Sequence, residues 1–469
     1  MIASMEPRTL QFIAQACAGE QLTGAPETRA QRVCTDSREV RAGDLFVALA
    51  GDKFDGHDFL KEVQGKGVAA VVVNRRRLPV SLADAPLNCA VIAVADTRQA
   101  LARLAAEYRH DFTLPVIAVG GSNGKTTTKE LLASVLRQKL STLWSEASFN
   151  NDIGVPLTLL RLEPHHEAAV IEVGTNHPGE IAPLVATVQP RFGVITSIGR
   201  EHLEFFGDVN AVAEEEGWLA ELLPANGKLF INGDTLCAEA IARRCRGKVA
   251  RIGFGAQYDW SISNLRPDKS GLTFHVTAPV EVFSGDYRVN LLGRHQAANA
   301  TLALAVGAEL GLDAEEIRRG LLSCQPAKMR LQVSEANGLH ILNDAYNANA
   351  DSMLVALQTL QEFPCTGRRI AVLGDMAELG VHSEEAHSEI GRRTAELGVN
   401  QLVTVGRLAE LTAQAARAAG LRDVTECRDV TEAMQTVRNS ARRGDVILLK
   451  ASRVAGLERI SQAMSEGPT

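Results

Sequence analysis

Leu114-Pro115-Val116-Ile117-Ala118-Val119, then Gly120-Gly121-Ser122-Asn123-Gly124-Lys125-Thr126-Thr127-Thr128: an apolar run of the fully buried type opens directly into a glycine-rich turn. A helical pattern follows to about Gln138. Strand, glycine loop, Lys-Thr and helix in that order form a P-loop. Its backbone N–H groups close on phosphate oxygens, and the helix N-terminus adds positive potential. Gly121, Ser122, Asn123, Gly124, Lys125, Thr126 and Thr127 are therefore the predicted nucleotide cradle. Lys125 reaches the β- and γ-phosphates, and the Thr126 hydroxyl ligates Mg²⁺. The strict GxxxxGK[ST] pattern has glycine at 119, where this chain has Val119. The bland alternative is a glycine turn that only begins a helix; the complete strand–loop–helix context argues against it.

Outward from this loop, residues 113–325 alternate strand-like runs (Ala168–Val173, Phe192–Ile198, Lys228–Ile231, Val249–Ile252) with helical patterns, which predicts a mainly parallel sheet. Residues 260–292 alternate polar and apolar side chains and read as an antiparallel appendage. A helix from about Gln296 to Leu310 and another to Ser323 follow, then a Gln325-Pro326 linker. Residues 326–469 alternate again, with strands at Arg369–Leu373, Leu402–Val405 and Val446–Leu449, and read as a small doubly wound, Rossmann-like domain. Residues 1–112 mix short apolar runs with helices, the last near Thr97–His110. The fold class is thus α/β with three domains, and a chain of 469 residues is long enough for that number.

Bulk properties narrow the function. The net charge of −7 supplies no field to attract nucleic acid, so a phosphate-bearing ligand must be held by local devices. There is no leader-like N-terminus and no apolar run of about 18 residues, so no membrane insertion is expected. Eight cysteines without a CxxC pair read as reduced core thiols, which fits a cytoplasmic location.

Further polar residues fall where ligands of α/β sheets lie, beyond the carboxyl ends of strands. Glu172 ends one run, and Gly199-Arg200-Glu201-His202 follows another. Taken alone, Glu172 reads equally well as a strand-end acid, and His202 as a hydrogen-bonded structural residue. In the helix after Asp208 the apolar stripe Val209, Val212, Leu219, Leu223 is completed by Glu216, whereas Glu214 and Glu215 fall off the stripe and read as solvated. An acid on an inward stripe is costly unless paired or metal-bound. A stripe-edge residue reaching solvent is the alternative.

These residues resemble those of a known family. Gly121–Thr127, Phe149-Asn150-Asn151-Asp152-Ile153-Gly154-Val155-Pro156, Ile171-Glu172-Val173-Gly174, His202-Leu203-Glu204 and Gly293-Arg294-His295-Gln296-Ala297-Ala298-Asn299 resemble the central domain of the Mur ligases. Pro326-Ala327-Lys328-Met329-Arg330 and Asn343-Asp344-Ala345-Tyr346-Asn347-Ala348-Asn349 carry the likeness into the C-terminal domain. Cys34-Thr35-Asp36-Ser37-Arg38 with Gly43–Leu49 resembles the family's uridine-nucleotide domain. Phe54-Asp55-Gly56-His57, Tyr346–Asn349 and Leu373–Gly380 favour the branch that adds a dipeptide, and the Asn-Pro-Arg motif of the diaminopimelate-adding branch is absent.

The resemblance implies an ATP-dependent, ADP-forming ligase of peptidoglycan precursor synthesis, acting on UDP-N-acetylmuramoyl-tripeptide and D-alanyl-D-alanine, and expected to be a monomer. It implies ATP and two Mg²⁺, with Lys125, Glu172 and His202 catalytic. Asn299, Arg330 and Asp344 join the ATP site, and Ser37, Arg38, Asn150 and Asn151 the uridine substrate. Asn347, Asn349, Asp375 and Glu378 lie where the dipeptide is expected, and Thr126, Glu172, His202 and Glu216 at the metals. Departures are Gln296 for the usual asparagine, Ala350 for a frequent proline, Ala451 for a usual glycine, and Glu216. Most relatives have at that last position a lysine that reacts with CO₂ to form a carbamate. Two other functions remain in view: a folylpolyglutamate- or cyanophycin-type ligase, opposed by Thr35–Arg38, and a switch that has lost chemistry, opposed by Lys125, Glu172, His202 and Asp344.

Overall fold

The computed structural model describes residues 2–51, 53–78 and 88–465, and among these three α/β domains each carry one sheet. The N-terminal sheet has six strands. Arg29–Cys34, Leu45–Val47, Ala70–Asn74 and Ala90–Val94 run parallel, with Ile2–Thr9 and Glu20–Thr23 antiparallel at the edges. Leu45–Val47, Ala70–Asn74 and Ala90–Val94 are almost wholly buried because their faces are covered by side chains such as Leu60, Val63 and Leu101.

The central sheet has nine strands in the order Thr142–Trp144, Ala168–Glu172, Val116–Gly120, Phe192–Ile195, Lys228–Asn232, Lys248–Phe254, Trp260–Asp268, Gly271–Thr277 and Gly285–Val289. The predicted appendage is not separate. Trp260–Asp268 pairs parallel with Lys248–Phe254, and antiparallel pairing begins only at Gly271–Thr277. Trp260, Ile262, Phe274 and Tyr287 are buried in the same core as the helix Gln296–Glu309, which explains why the strands stay attached. The helix Lys125–Leu136 joins this core through Leu131, Leu132, Val135 and Leu136.

The C-terminal sheet runs Gln332–Ala336, Leu339–Asn343, Val446–Lys450, Arg369–Gly374, Gln401–Val405, Val424–Cys427. All its pairings are parallel except that of the Gln332–Ala336 edge. The apolar residues on its two faces form separate cores, one with Met353, Leu357 and Leu360 and the other with Val430, Val437 and Ile460. No helix among the described residues is long and apolar enough to cross a membrane.

Candidate active site

The strand Val116–Gly120 lies between Ala168–Glu172 and Phe192–Ile195. The chain leaves these strands toward opposite sides of the sheet, and the crevice at such a switch point is where ligands bind. Val119 is still inside this strand, fully buried and in register with Glu172, so no glycine is needed there. The left-handed backbone comes later, at Gly121 (φ 114°) and Gly124 (φ 89°). A Cβ on Gly121 would stand 2.6 Å from Thr196 Oγ1. The neighbouring strand's end braces the loop. Thr196 and Ser197 hydroxyls donate to the Asn123 carbonyl at 2.7 and 3.0 Å, and Ser122 N–H donates to the Ser197 carbonyl at 2.6 Å.

Lys125 Nζ donates to the Gly121 and Ser122 carbonyls and lies 3.6 Å from Glu201. Burial works against its charge, but Glu201, Glu216 and Glu172 together hold its pKa above the ordinary lysine value. Thr126 Oγ1 donates to Glu172 Oε1 at 3.2 Å, and Asn150 Nδ2 donates to the same oxygen at 3.0 Å. Glu172 Oε2, Glu201 Oε1 and Glu216 Oε1 are all buried without a hydrogen-bond partner. Buried oxygens without partners are costly unless cations meet them, and Glu172 and Glu201 line the cleft, so the donor chemistry there suits a nucleotide with its magnesium.

Glu216 is 0% exposed, as the inward stripe requires, and the solvent-reaching alternative fails. It ends the helix Val209–Glu216, and its Oε2 accepts the Gly121 N–H at 2.7 Å. Burial pushes its pKa up to about 7, with Lys125 and the Gly121 N–H pulling it down and Glu201 pushing it up. The expectation for Glu215 is corrected. It is buried, and its carboxylate accepts the N–H groups of Gly179 and Ile181 at 2.9 and 2.7 Å at the start of the helix Ile181–Val188. Helical periodicity alone does not reveal a neighbouring helix terminus that needs an acceptor.

The C-terminal domain is docked on this site. Arg330 Nη2 donates to Thr126 Oγ1 at 3.0 Å, with its guanidinium over the Tyr346 ring. Asp344 accepts from Leu331 N–H and pairs with Lys450 at 2.6 Å, while Lys450 also reaches the Asn347 carbonyl. Asn299 donates to Gln296 Oε1 at 2.9 Å, directly beside Gly124. Asn349 caps the helix Ala350–Glu362 and donates to Asn123 Oδ1 at 3.0 Å. His202 Nδ1 meets Glu378 Oε2 at 2.6 Å.

Among the predicted metal ligands, Thr126 and Glu172 meet, Glu216 lies beneath the loop, and His202 is engaged by Glu378. Among the described residues no three of His, Cys, Asp and Glu converge on one point, so the four-residue set is not assembled as a ligand shell here. Asp375 is also corrected. Its Oδ1 accepts the Ala409 N–H at 2.7 Å at the start of the helix Ala409–Ala418, and it does not line the cleft.

The cleft itself holds about 1150 Å³ and runs between the central and C-terminal domains. Gly124 to Thr127, Glu172, His202, Asn299, Arg330, Asp344, Asn347, Asn349 and Glu378 line it, as do Asn150 and Asn151. Asn151 Oδ1 accepts the Gly154 N–H at 2.9 Å and so shapes the turn into Gly154–Leu159. Ser37 and Arg38 do not line it. They sit in a short 3₁₀ turn of the N-terminal domain, where Arg38 is 84% exposed and paired with Asp36. The N-terminal domain reaches the cleft through Arg98, which bridges the Ala50 carbonyl and Asp152.

Sequence reasoning missed three residues here. Glu201 faces Lys125, and Arg200 binds the C-terminal domain through Asp351 and Glu389. Lys129 is fully buried, with Nζ donating to the Ser145 and Ala147 carbonyls at 2.8 Å each, so it fixes the segment leading to Asn150. A lysine in stripe with Leu132 and Leu136 was the available signal for Lys129.

A phosphate loop whose flanking acids each keep one buried oxygen free, touched at its threonine by a second α/β domain, is the arrangement of a nucleotide-dependent enzyme with its cleft between two domains. Comparison with known proteins makes the class narrower. Residues 119–307 match the Mur ligase middle domain, 329–453 the Mur ligase glutamate ligase domain, and 29–109 the Mur ligase catalytic domain. The chain is 36% identical to the UDP-N-acetylmuramoyl-tripeptide–D-alanyl-D-alanine ligase of Escherichia coli (strain K12), over 98% of this chain and 99% of that one. The crystal structure of MurF from Acinetobacter baumannii superposes with a TM-score of 0.90 at 32% identity, covering 99% of this chain and 100% of that one. MurF ligase from Thermotoga maritima in complex with ADP gives 0.81 at 27% identity, over 92% and 97%. The chain belongs to the Mur ligase family.

Proposed function

We propose that this chain joins D-alanyl-D-alanine to UDP-N-acetylmuramoyl-tripeptide at the expense of ATP, through an acyl phosphate, in peptidoglycan precursor synthesis. The observation that carries the reading is full-length similarity to ligases named for that reaction, together with the Lys125–Thr126–Glu172 arrangement at the P-loop. The working division is 1–112 for the uridine substrate, 113–325 for ATP and 326–469 for closure and the dipeptide. Gly121 to Thr127 with Asn299, Arg330 and Asp344 hold ATP. Ser37, Arg38, Asn150 and Asn151 hold the uridine substrate, and Asn347, Asn349 and Glu378 face the dipeptide. The protein acts in the cytoplasm as a monomer.

The tripeptide carboxylate attacks the terminal phosphorus of ATP, the bond to the β,γ-bridging oxygen breaks and ADP leaves, while Lys125 offsets the charge that develops there. The dipeptide amine then displaces phosphate from the activated carbonyl. Closure of the C-terminal domain keeps water from that carbonyl. Two magnesium ions supply further charge neutralisation when bound. Thr126 and Glu172 suit the first. His202 and Glu216 suit the second: Glu378 on Nδ1 leaves Nε2 of His202 available, and Glu216 has Oε1 without a partner. With a cation bound, Glu216 would give up the proton that its buried setting favours and stand in for the carbamate of relatives, so turnover is expected to be indifferent to bicarbonate removal.

The test is phosphate release with a panel of muramoyl peptides and amines. Release is expected only when ATP, UDP-N-acetylmuramoyl-tripeptide and D-alanyl-D-alanine are all present. Equal release with glutamate and a folate acceptor would instead support the folylpolyglutamate reading.

A further inference from the structure

We propose that Arg200 is the positioning residue that seats the C-terminal domain over the P-loop; the inference rests on the ligase reading above. Arg200 belongs to the central domain, in the loop that follows Phe192–Ile195. Its backbone N–H donates to Asp351 Oδ2 at 2.7 Å, and its Nε and Nη2 approach Asp351 Oδ1 at 2.8 and 2.7 Å. Its Nη1 donates to Glu389 Oε2 at 2.6 Å. Asp351 sits in the first turn of Ala350–Glu362 and Glu389 within Ser383–Glu396. One side chain of the central domain therefore grips two helices of the C-terminal domain.

The grip is connected to the phosphate loop. Gly199 N–H donates to Ser122 Oγ at 2.9 Å, and Asn349, which caps the gripped helix, donates to Asn123. Gly199 is itself a requirement, since a Cβ there would stand 2.5 Å from Asp351 Oδ2. Only glycine lets the carboxylate come down onto the Arg200 N–H. An arginine fork on a carboxylate fixes orientation as well as distance. The three side chains are each about one-third exposed (31%, 34% and 29%), so the pair adds modest affinity and its contribution is mainly geometric.

The test uses the full chain with ATP, UDP-N-acetylmuramoyl-tripeptide and D-alanyl-D-alanine, and small-angle X-ray scattering alongside. In Arg200→Ala, kcat/KM for the dipeptide is expected to fall about tenfold, with KM rising and the KM for the uridine substrate unchanged. Arg200→Lys restores only part, because it keeps the charge and loses the fork. Gly199→Ala, which removes no charge, reproduces the Arg200→Ala loss. Combining Arg200→Ala with Asp351→Asn adds nothing to Arg200→Ala alone. Scattering from Arg200→Ala shows a larger radius of gyration than the parent. Unchanged dipeptide KM with unchanged scattering overturns the proposal, as does an equal rise in KM for both substrates. If the parent itself does not turn over these substrates, the ligase reading fails, while scattering still decides whether Arg200 holds the domains together.

Discussion

The central domain meets its two neighbours in opposite ways. Toward the N-terminal domain the contact is mainly apolar, with the Arg98–Asp152 pair beside it: Leu101, Leu104 and Ala105 belong to one core with Leu157, Leu159, Leu184 and Val188. The helix Thr97–Arg109 packs on Gly154–Leu159 and Ile181–Val188, and Tyr108 closes the seam by donating to the Leu162 carbonyl at 2.6 Å. Toward the C-terminal domain the named contacts are polar: Arg200 with Asp351 and Glu389, His202 with Glu378, Asn123 with Asn349, and Thr126 with Arg330. Separating the first seam exposes a large apolar surface to water, whereas the second, where Leu292 joins the C-terminal core, is otherwise held by polar groups that can be rehydrated. The physical lesson is that the first seam fixes a platform, whereas the second can be separated with less apolar surface exposed.

The largest effect is expected where the polar seam meets the phosphate. Lys125→Ala should lower phosphate release at least about 100-fold, since the lysine acts where charge develops. The variant should still fold, with a lower thermal midpoint, because the buried Glu201, Glu216 and Glu172 lose their cation. Activity above a few per cent with unchanged ATP affinity would remove the P-loop from the mechanism.

Next in size is Leu104→Ala at the apolar seam. It should cost about 3 kcal/mol in urea unfolding while leaving every KM unchanged in the folded enzyme. A loss of substrate affinity without a loss of stability would erase the contrast between the two seams.

Arg38→Ala should raise the KM for the uridine substrate about tenfold and leave that for ATP alone. The exposed guanidinium lies on the platform and away from the cleft. Equal changes in both constants would break the assignment of separate tasks to separate domains.

A further effect is on pH dependence. The Glu216 pKa is raised in the folded state, from 4.5 to about 7, so between these values the native protein holds a proton that the unfolded chain has released. Stability from this group is present below about 4.5 and is lost as pH rises through about 7. Urea midpoints of Glu216→Gln should therefore gain on the parent as pH rises across that window. A difference independent of pH would place the carboxylate outside a buried setting.

How much of this was legible in the sequence follows from where each signal resides. The strands Val116–Gly120, Ala168–Glu172 and Phe192–Ile195 are buried on both faces, and their uninterrupted apolar runs announce them. Ile2–Thr9 and Gln332–Ala336 are half-polar edge strands, stabilised by pairing partners that local patterning does not name. The P-loop residues and Glu216 were readable because glycine geometry and helical period are local properties. Glu215, Asp375 and Arg200 were not. Each answers a partner brought close only by the tertiary fold: a helix start for the first two and a second domain for the third.

The most direct test of the central claim follows an atom. Tripeptide substrate labelled with ¹⁸O in its terminal carboxylate is incubated with ATP, D-alanyl-D-alanine and the enzyme, and the released phosphate is examined by mass spectrometry. Activation as an acyl phosphate requires a carboxylate oxygen to leave with phosphate, so label appears in the phosphate in step with product. Product formed with unlabelled phosphate would contradict the account.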